Sequence, residues 1–135
     1  MRDNGVMQTY EKLYIDGAWV DPAGSGTIDV TSASTEKVMG RVPEGTPADV
    51  DRAVDAARKA FPAWSQTPKE ERGKLLQRLS EGLGARMVDI ATTIAGEVGM
   101  PMRLSQLIQA GLPTAVMGSY SQILEDFPFE EQVNN

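Results

Sequence analysis

The sequence predicts an α+β chain in which an N-terminal β-hairpin and short strands are followed by about four helices. Three observations carry that prediction. Asp16-Gly17 separates two apolar triplets, Leu13-Tyr14-Ile15 and Ala18-Trp19-Val20. Apolar and polar residues alternate through Thr27-Ile28-Asp29-Val30-Thr31. From Thr46 onward the apolar residues recur every three or four positions.

Taken in order, residues 1–11 are polar and are expected to be a flexible N-terminus. Lys12 to Val20 reads as a hairpin, because a two-residue turn needs positive φ at both central positions and Asp-Gly accepts it. Asp21-Pro22-Ala23-Gly24-Ser25-Gly26 is a loop by composition. Thr27 to Thr31 is a strand with Ile28 and Val30 on one face. Lys37 to Val42 is a further strand, weakened by Gly40.

The first helix starts at Thr46-Pro47-Ala48-Asp49, which supplies a hydroxyl cap, a proline at the first helical position and an acid that reaches back as in a capping box. Val50, Ala53, Val54, Ala57 and Phe61 follow at helical spacing, and Pro62 should end or bend the helix. Thr67-Pro68-Lys69-Glu70 repeats the start signal, with Leu75, Leu76, Leu79 and Leu83 as the apolar stripe and Gly82 and Gly84 loosening its end. A third helix covers Met87 to Val98, and Gly99 and Pro101 supply a left-handed cap and a stop. The last helical stretch runs from Met102 to Leu124, kinked or divided at Pro113. The acidic tail, 125–135, is expected to be irregular. A sheet of a few short strands is small for so many amphipathic helices, so some apolar faces are expected to need a surface from outside these residues.

Composition narrows the function. The 135 residues suit one domain. A formal net charge of −6, from 13 basic and 19 acidic residues, lacks the basic footprint of a nucleic-acid binder. No stretch approaches the ~20 apolar residues of a membrane span, and Met1-Arg2-Asp3-Asn4-Gly5 lacks the apolar core of a signal peptide. The expectation is a cytoplasmic protein without membrane or nucleic-acid partners. Cysteine and histidine are both absent, which removes a thiol nucleophile, an imidazole base and the usual soft-metal ligands.

Several phrases arrive in a recognisable order. Leu13-Tyr14-Ile15-Asp16-Gly17-Ala18-Trp19-Val20 resembles the opening hairpin of the NAD(P)-dependent aldehyde dehydrogenases. Val42-Pro43 follows, then Asp49-Val50-Asp51, Ala53-Val54, Ala56-Ala57-Arg58, Ala60-Phe61 and Trp64, which are similar to that family's first helix. Pro68, Glu71-Arg72, Leu75-Leu76 and Leu79 resemble its second, and Glu97, Gly99 and Pro101 its Glu-x-Gly-x-Pro ending of the third. The resemblance runs from about Leu13 to Tyr120. One departure concerns a turn: the family's Asn-Pro-x-Thr-Gly-Glu stands here as Ser32-Ala33-Ser34-Thr35-Glu36-Lys37, with Glu36 in place of the glycine that relaxes the turn.

The resemblance implies that residues 12–124, with strands in 12–42 and helices in 46–124, form the N-terminal part of an aldehyde dehydrogenase cofactor domain. It implies a family reaction in which a cysteine thiolate attacks an aldehyde, an asparagine and a backbone amide hold the oxyanion, hydride passes to nicotinamide, and a glutamate activates water to release the acid. The residues for those steps lie in family sequence beyond Asn135, so no catalytic or cofactor-binding residue is assigned here. The chain alone is expected to bind no cofactor, with NAD or NADP belonging to the full-length family. The resemblance also implies a cation site with oxygen ligands at Thr31 and Glu97, a donor set suited to a hard ion.

Other candidates have plainer readings. Glu70 is expected to have a capping role at the second helix, while Glu71 and Glu81 fit solvated helix faces. Trp19 and Trp64 fit packing better than ligand stacking, and Met100, Met102 and Met117 fit gap filling better than an adaptable groove. Gly24-Ser25-Gly26 has no helix directly behind it and is no phosphate loop. Ser105, Ser119 and Ser121 have no histidine to activate them. The reading is therefore the N-terminal portion of an aldehyde dehydrogenase, from a truncated frame or fragment, inactive alone. Its partners would be further copies of itself or a full-length relative. A non-catalytic oligomerisation or interaction module is the alternative, and an unrelated small helical protein lacking the hairpin a third.

Overall fold

The computed structural model describes residues 7–133. It divides into two compact units, one running to Gln66 and including Ala95–Gly99, the other holding Thr67–Ile94 and the residues from Met100 onward.

In the first unit, β2 (Leu13–Ile15) and β3 (Ala18–Val20) form the antiparallel hairpin. Asp16 and Gly17 have φ of 55° and 75°, the two positive values that Asp-Gly predicts. Tyr14 lies opposite Trp19, and their rings meet edge to face with centroids 5.2 Å apart. A separate sheet has the order β1 (Gln8–Thr9), β5 (Val38–Pro43), β4 (Thr27–Thr31). Here β4 (Thr27–Thr31) pairs antiparallel with β5 (Val38–Pro43), with an irregularity between Val30 and Thr31.

The segment expected to be flexible, residues 1–11, is described only from Met7 onward. Residues 1–6 lie outside the described residues, whereas β1 (Gln8–Thr9) pairs in parallel with β5. Gly40 explains why this pairing is possible. A Cβ there would sit 3.1 Å from the Gln8 carbonyl oxygen, so the glycine that weakens β5 by propensity is what lets β1 close upon it.

The turn between β4 and β5 resolves the question raised by Glu36. Its N–H donates to the Ser32 carbonyl at 2.9 Å, and Ser32 N–H donates to the Lys37 carbonyl at 2.9 Å. Glu36 itself has φ of 58°. The turn holds its left-handed residue without a glycine, against a steric cost of roughly 1–2 kcal/mol.

The helix α1 (Pro47–Ser65) begins at the capping box read from the sequence, with Thr46 as N-cap and both reciprocal hydrogen bonds present. Pro62 lies inside the helix and does not terminate it. Three residues remain beyond it, so its missing N–H is confined to the last turn.

The second unit holds α2 (Lys69–Ala85), most of α3 (Met87–Val98), α4 (Met102–Leu104) and α5 (Gly111–Asp126). The start of α2 corrects the expectation of a second Thr-Pro start like the first. Pro68 is the N-cap, and its main-chain carbonyl accepts the Glu71 and Arg72 N–H groups, both at 3.1 Å. The end of α3 follows expectation: Gly99 has φ of 70° and its N–H reaches the Ala95 carbonyl at 3.1 Å.

Between α4 and α5, Ser105–Ala110 forms a π-helical turn. Pro113 divides the stretch less directly than the sequence implied. It lies within α5, and its ring and missing N–H conflict with the carbonyl four residues earlier. The wider turn just upstream absorbs that mismatch. Gly111 closes it by donating to the Gln106 carbonyl, so close that a Cβ would lie 2.9 Å from that oxygen.

Helices α2 and α5 pack antiparallel. Lys69 Nζ donates to the Glu125 carbonyl at 2.8 Å at one end, and Ser80 Oγ donates to the Thr114 carbonyl at 2.9 Å toward the other. Small residues line the seam: a Cβ on Gly118 would stand 3.2 Å from Ser80 Oγ, and one on Gly84 3.7 Å from Thr114 Cγ2. Leu76 and Leu83 are half-buried, while Leu75 and Leu79 remain exposed.

Among the described residues the buried apolar side chains are Ala91, Ala95 and Ala110. Large apolar side chains face outward, with Phe61 65%, Leu107 67% and Leu112 57% exposed. The small sheet has left helix faces uncovered, as its size implied.

Replacing Glu36 with glycine relieves the left-handed conformation and is expected to raise stability by about 0.5–1 kcal/mol, the relief less the added chain entropy. Urea or thermal unfolding of Glu36→Gly beside the parent chain measures it. Unchanged or lower stability would contradict the strain argument.

Candidate functional site

The most organised polar cluster grows from the start of α1. The Asp49 carboxylate accepts the Thr46 N–H at 3.0 Å, the Thr46 hydroxyl at 2.8 Å and the Ala23 N–H at 2.9 Å. Arg52 Nη1 lies 3.3 Å from Asp49 Oδ1 and 3.3 Å from the Asp21 carbonyl. The side chain of Asp49 is 3% exposed. The Thr46 main-chain N–H holds its carboxyl below the ordinary range, helped by the Thr46 hydroxyl, the Ala23 N–H and Arg52, while burial acts in the opposite sense. Both oxygens are committed to protein donors. The cluster pins the loop after β3 to the helix start and leaves no free base for chemistry.

The two residues expected as cation ligands lie at the end of β4 and near the end of α3. Thr31 ends β4 and is exposed. Two residues on, Ala33 N–H donates to the Glu97 carbonyl at 3.2 Å. A Cβ on Gly99 would lie 3.2 Å from Ser34 Oγ, so the turn after Thr31 lies against the end of α3. Glu97 is exposed, and its carbonyl keeps a second lone pair. The last turn of α3 carries the negative end of the helix dipole, which favours a cation. No group of three or more Asp, Glu, His or Cys side chains that would hold a metal occurs among the described residues. The contact through Ala33 was not legible in the sequence, because a backbone donor leaves no side-chain signature.

The other candidates fall out as structural groups. Glu71 pairs with Lys74 at 2.7 Å, and Glu81 accepts from Gln77 at 3.1 Å, both on exposed surface. Ser121 Oγ donates to the Gly118 carbonyl at 2.7 Å and Ser119 Oγ to the Val116 carbonyl at 2.8 Å. Ser105 is fully buried with no charged group to activate its hydroxyl. Met100, Met102 and Met117 are half-buried. Trp19 is 61% exposed and packs edge to face on Tyr14 within the hairpin. An open groove of about 920 Å³ between α2 and α5 mixes Lys69, Lys74 and Arg78 with Glu70, Glu71 and Glu125, and presents no net charge to a ligand. No described helix is long and apolar enough to cross a membrane.

Fold and sequence together place the chain. The aldehyde dehydrogenase family profile matches residues 19–129. The chain is 38% identical over 133 residues to a 3-succinoylsemialdehyde-pyridine dehydrogenase of a Pseudomonas species, covering 94% of this chain and 27% of that protein. Its backbone superposes on an aldehyde dehydrogenase from Bartonella henselae with a TM-score of 0.90 at 30% identity, over 95% of this chain and 27% of that one. A variant of aldehyde dehydrogenase C from Pseudomonas syringae, solved with NAD+ and octanal, matches with a TM-score of 0.88 at 33% identity, over 98% of this chain and 27% of that one. The chain belongs to the aldehyde dehydrogenase family. It corresponds to the N-terminal portion of that fold and spans about 27% of the length of these relatives.

The Asp49 cluster has a pH signature. Its folded carboxyl titrates below the unfolded value of about 3.9, so its contribution is full above that value and is lost as pH falls through the folded one. Asp49→Asn removes this contribution. The variant is expected to be less stable at neutral pH, with the gap to the parent narrowing as pH falls below about 4. Unfolding curves of both proteins between neutral pH and strong acid test it, and a gap that widens in acid refutes the assignment.

Proposed function

We propose that this chain is the scaffold portion of an NAD(P)-dependent aldehyde dehydrogenase, a family that oxidises an aldehyde to a carboxylic acid through a cysteine thioester. The observation that carries the reading is the match of 95% of the chain to about a quarter of a solved family member, combined with the absence of any cysteine. A thioester requires a thiol, so these residues cannot form the acyl intermediate. Their contribution is architectural: the strand and helix framework of the first unit, the α2–α5 pair of the second, and apolar faces for other surfaces to cover. NAD or NADP would bind to family sequence outside these residues. Partners would be further copies of the chain or a full-length relative, in the cytoplasm.

Purified chain mixed with an aldehyde and either NAD or NADP is expected to show no appearance of reduced cofactor by absorbance and no covalent acyl adduct by mass spectrometry. Turnover or an adduct would contradict the reading.

We further propose that Thr31 and Glu97 flank a hard cation. The Ala33–Glu97 contact and the dipole at the end of α3 support it. Added Na+, K+, Mg2+ or Ca2+ then raises the melting temperature by mass action for the ion that fits. No ion-specific rise would remove the site.

A further inference from the structure

The irregularity in the β4–β5 pair singles out one residue. Val30 pairs with Gly40, but Thr31 pairs with Val38, so Met39 is the extra residue on β5 and has no register partner on β4. The β1–β5 pairs, Gln8 with Gly40 and Thr9 with Arg41, do not include it either. A bulge of this kind takes a side chain out of the ladder's alternation and aims it elsewhere. Here the target is the last turn of α3. A Cβ built on Gly96 would lie 2.9 Å from Met39 Cε and 3.5 Å from its Sδ, so the thioether fills the space that a side chain at 96 would need. Glycine inside a helix is less favourable than alanine, and the room it leaves for Met39 is the tertiary reason for it.

Both partners belong to the first unit, which takes Ala95–Gly99 from α3 together with the strands. The contact is internal to this chain and does not depend on what covers the remaining apolar faces. Along the same stretch of helix, the Ala33 N–H donates to the Glu97 carbonyl at 3.2 Å and Ser34 lies beside Gly99. Met39 adds an apolar contact to these, and its sulfur is oxidisable. The residue is half-buried and hydrogen peroxide is a small oxidant. A sulfur lone pair attacks one peroxide oxygen, the O–O bond breaks, and the hydrogen on the transferred oxygen passes to the departing one. The thioether is oxidised to a sulfoxide and the peroxide is reduced to water. A sulfoxide is larger and strongly polar, so it favours hydration over an apolar contact with helix backbone.

We propose that Met39 is a redox-sensitive latch: as a thioether it docks β5 on the end of α3, and as a sulfoxide it lets that end go. Methionine sulfoxide reductases, which return the thioether, close the latch again. The device belongs to these residues and stands whether or not the chain takes part in aldehyde oxidation.

The test treats the full chain with graded hydrogen peroxide and maps oxygen addition at each methionine by peptide mass spectrometry. Hydrogen exchange is followed in peptides covering residues 32–34 and 95–99, alongside thermal unfolding. In the parent, oxidation at Met39 is expected to speed exchange in both segments and to lower the melting temperature by about 4 °C. Reduction by a methionine sulfoxide reductase is expected to reverse both changes. Met39→Leu keeps the apolar volume without the sulfur, so peroxide is expected to leave exchange in both segments unchanged while the other methionines still oxidise. Met39→Gln puts a polar side chain in the same place and is expected to show the faster exchange with no peroxide added. Complete oxidation of Met39 with exchange unchanged would overturn the proposal. An equal response in Met39→Leu would do the same, by assigning the effect to another methionine. So would a Met39 that stays reduced at the dose that fully oxidises Met100 and Met102, which are likewise half-buried. Each outcome leaves the aldehyde turnover assay untouched.

Discussion

Small residues occupy the interior of this chain, and the remainder of its design depends on that. Among the described residues Ala91, Ala95 and Ala110 are the buried apolar ones, and Ser105 is the largest side chain that is fully enclosed. The α2–α5 pair approaches through Gly84, Gly118 and Ser80. Close backbone approach maximises dispersion contact, but it removes little apolar area from water. Fully burying a leucine, valine or phenylalanine contributes roughly 1.5–3 kcal/mol. Phe61, Leu107 and Leu112 obtain only part of that within these residues.

Hydrogen bonding compensates in places. The Asp49 cluster ties a loop, a helix start and an arginine together with one carboxylate. Such a charge-assisted knot fixes geometry better than an apolar contact of the same size, because each donor must arrive from one direction. It makes the first unit's frame definite where its apolar burial is thin. The exposed Asp29–Arg41 pair across β4 and β5 adds little, since solvent screens it.

Family membership and chemistry separate cleanly in this molecule. The backbone follows the family closely enough to superpose on an enzyme solved with cofactor and aldehyde. Yet Asp49 is capped, Glu71 is paired, the Thr114 hydroxyl bonds to a helix carbonyl, and the sequence holds no cysteine or histidine. A fold supplies positions, and reactivity requires particular groups at those positions.

The residues announced much of this by themselves. Asp16-Gly17 dictated its hairpin because the two positive φ values are a local steric matter, and Thr46 with Asp49 dictated a capping box because the partners lie three residues apart. The bounds of α3 followed from its periodicity and from Gly99. Tertiary structure decided what depended on distant partners. The β1–β5 pairing rests on Gly40 some thirty residues from Gln8. The π turn answers Pro113 from upstream, and the Ala33–Glu97 contact joins main-chain atoms that no side-chain pattern records. Which leucines of α2 would be covered was equally hidden, because periodicity identifies an apolar face but only a neighbouring helix determines how much of it leaves water.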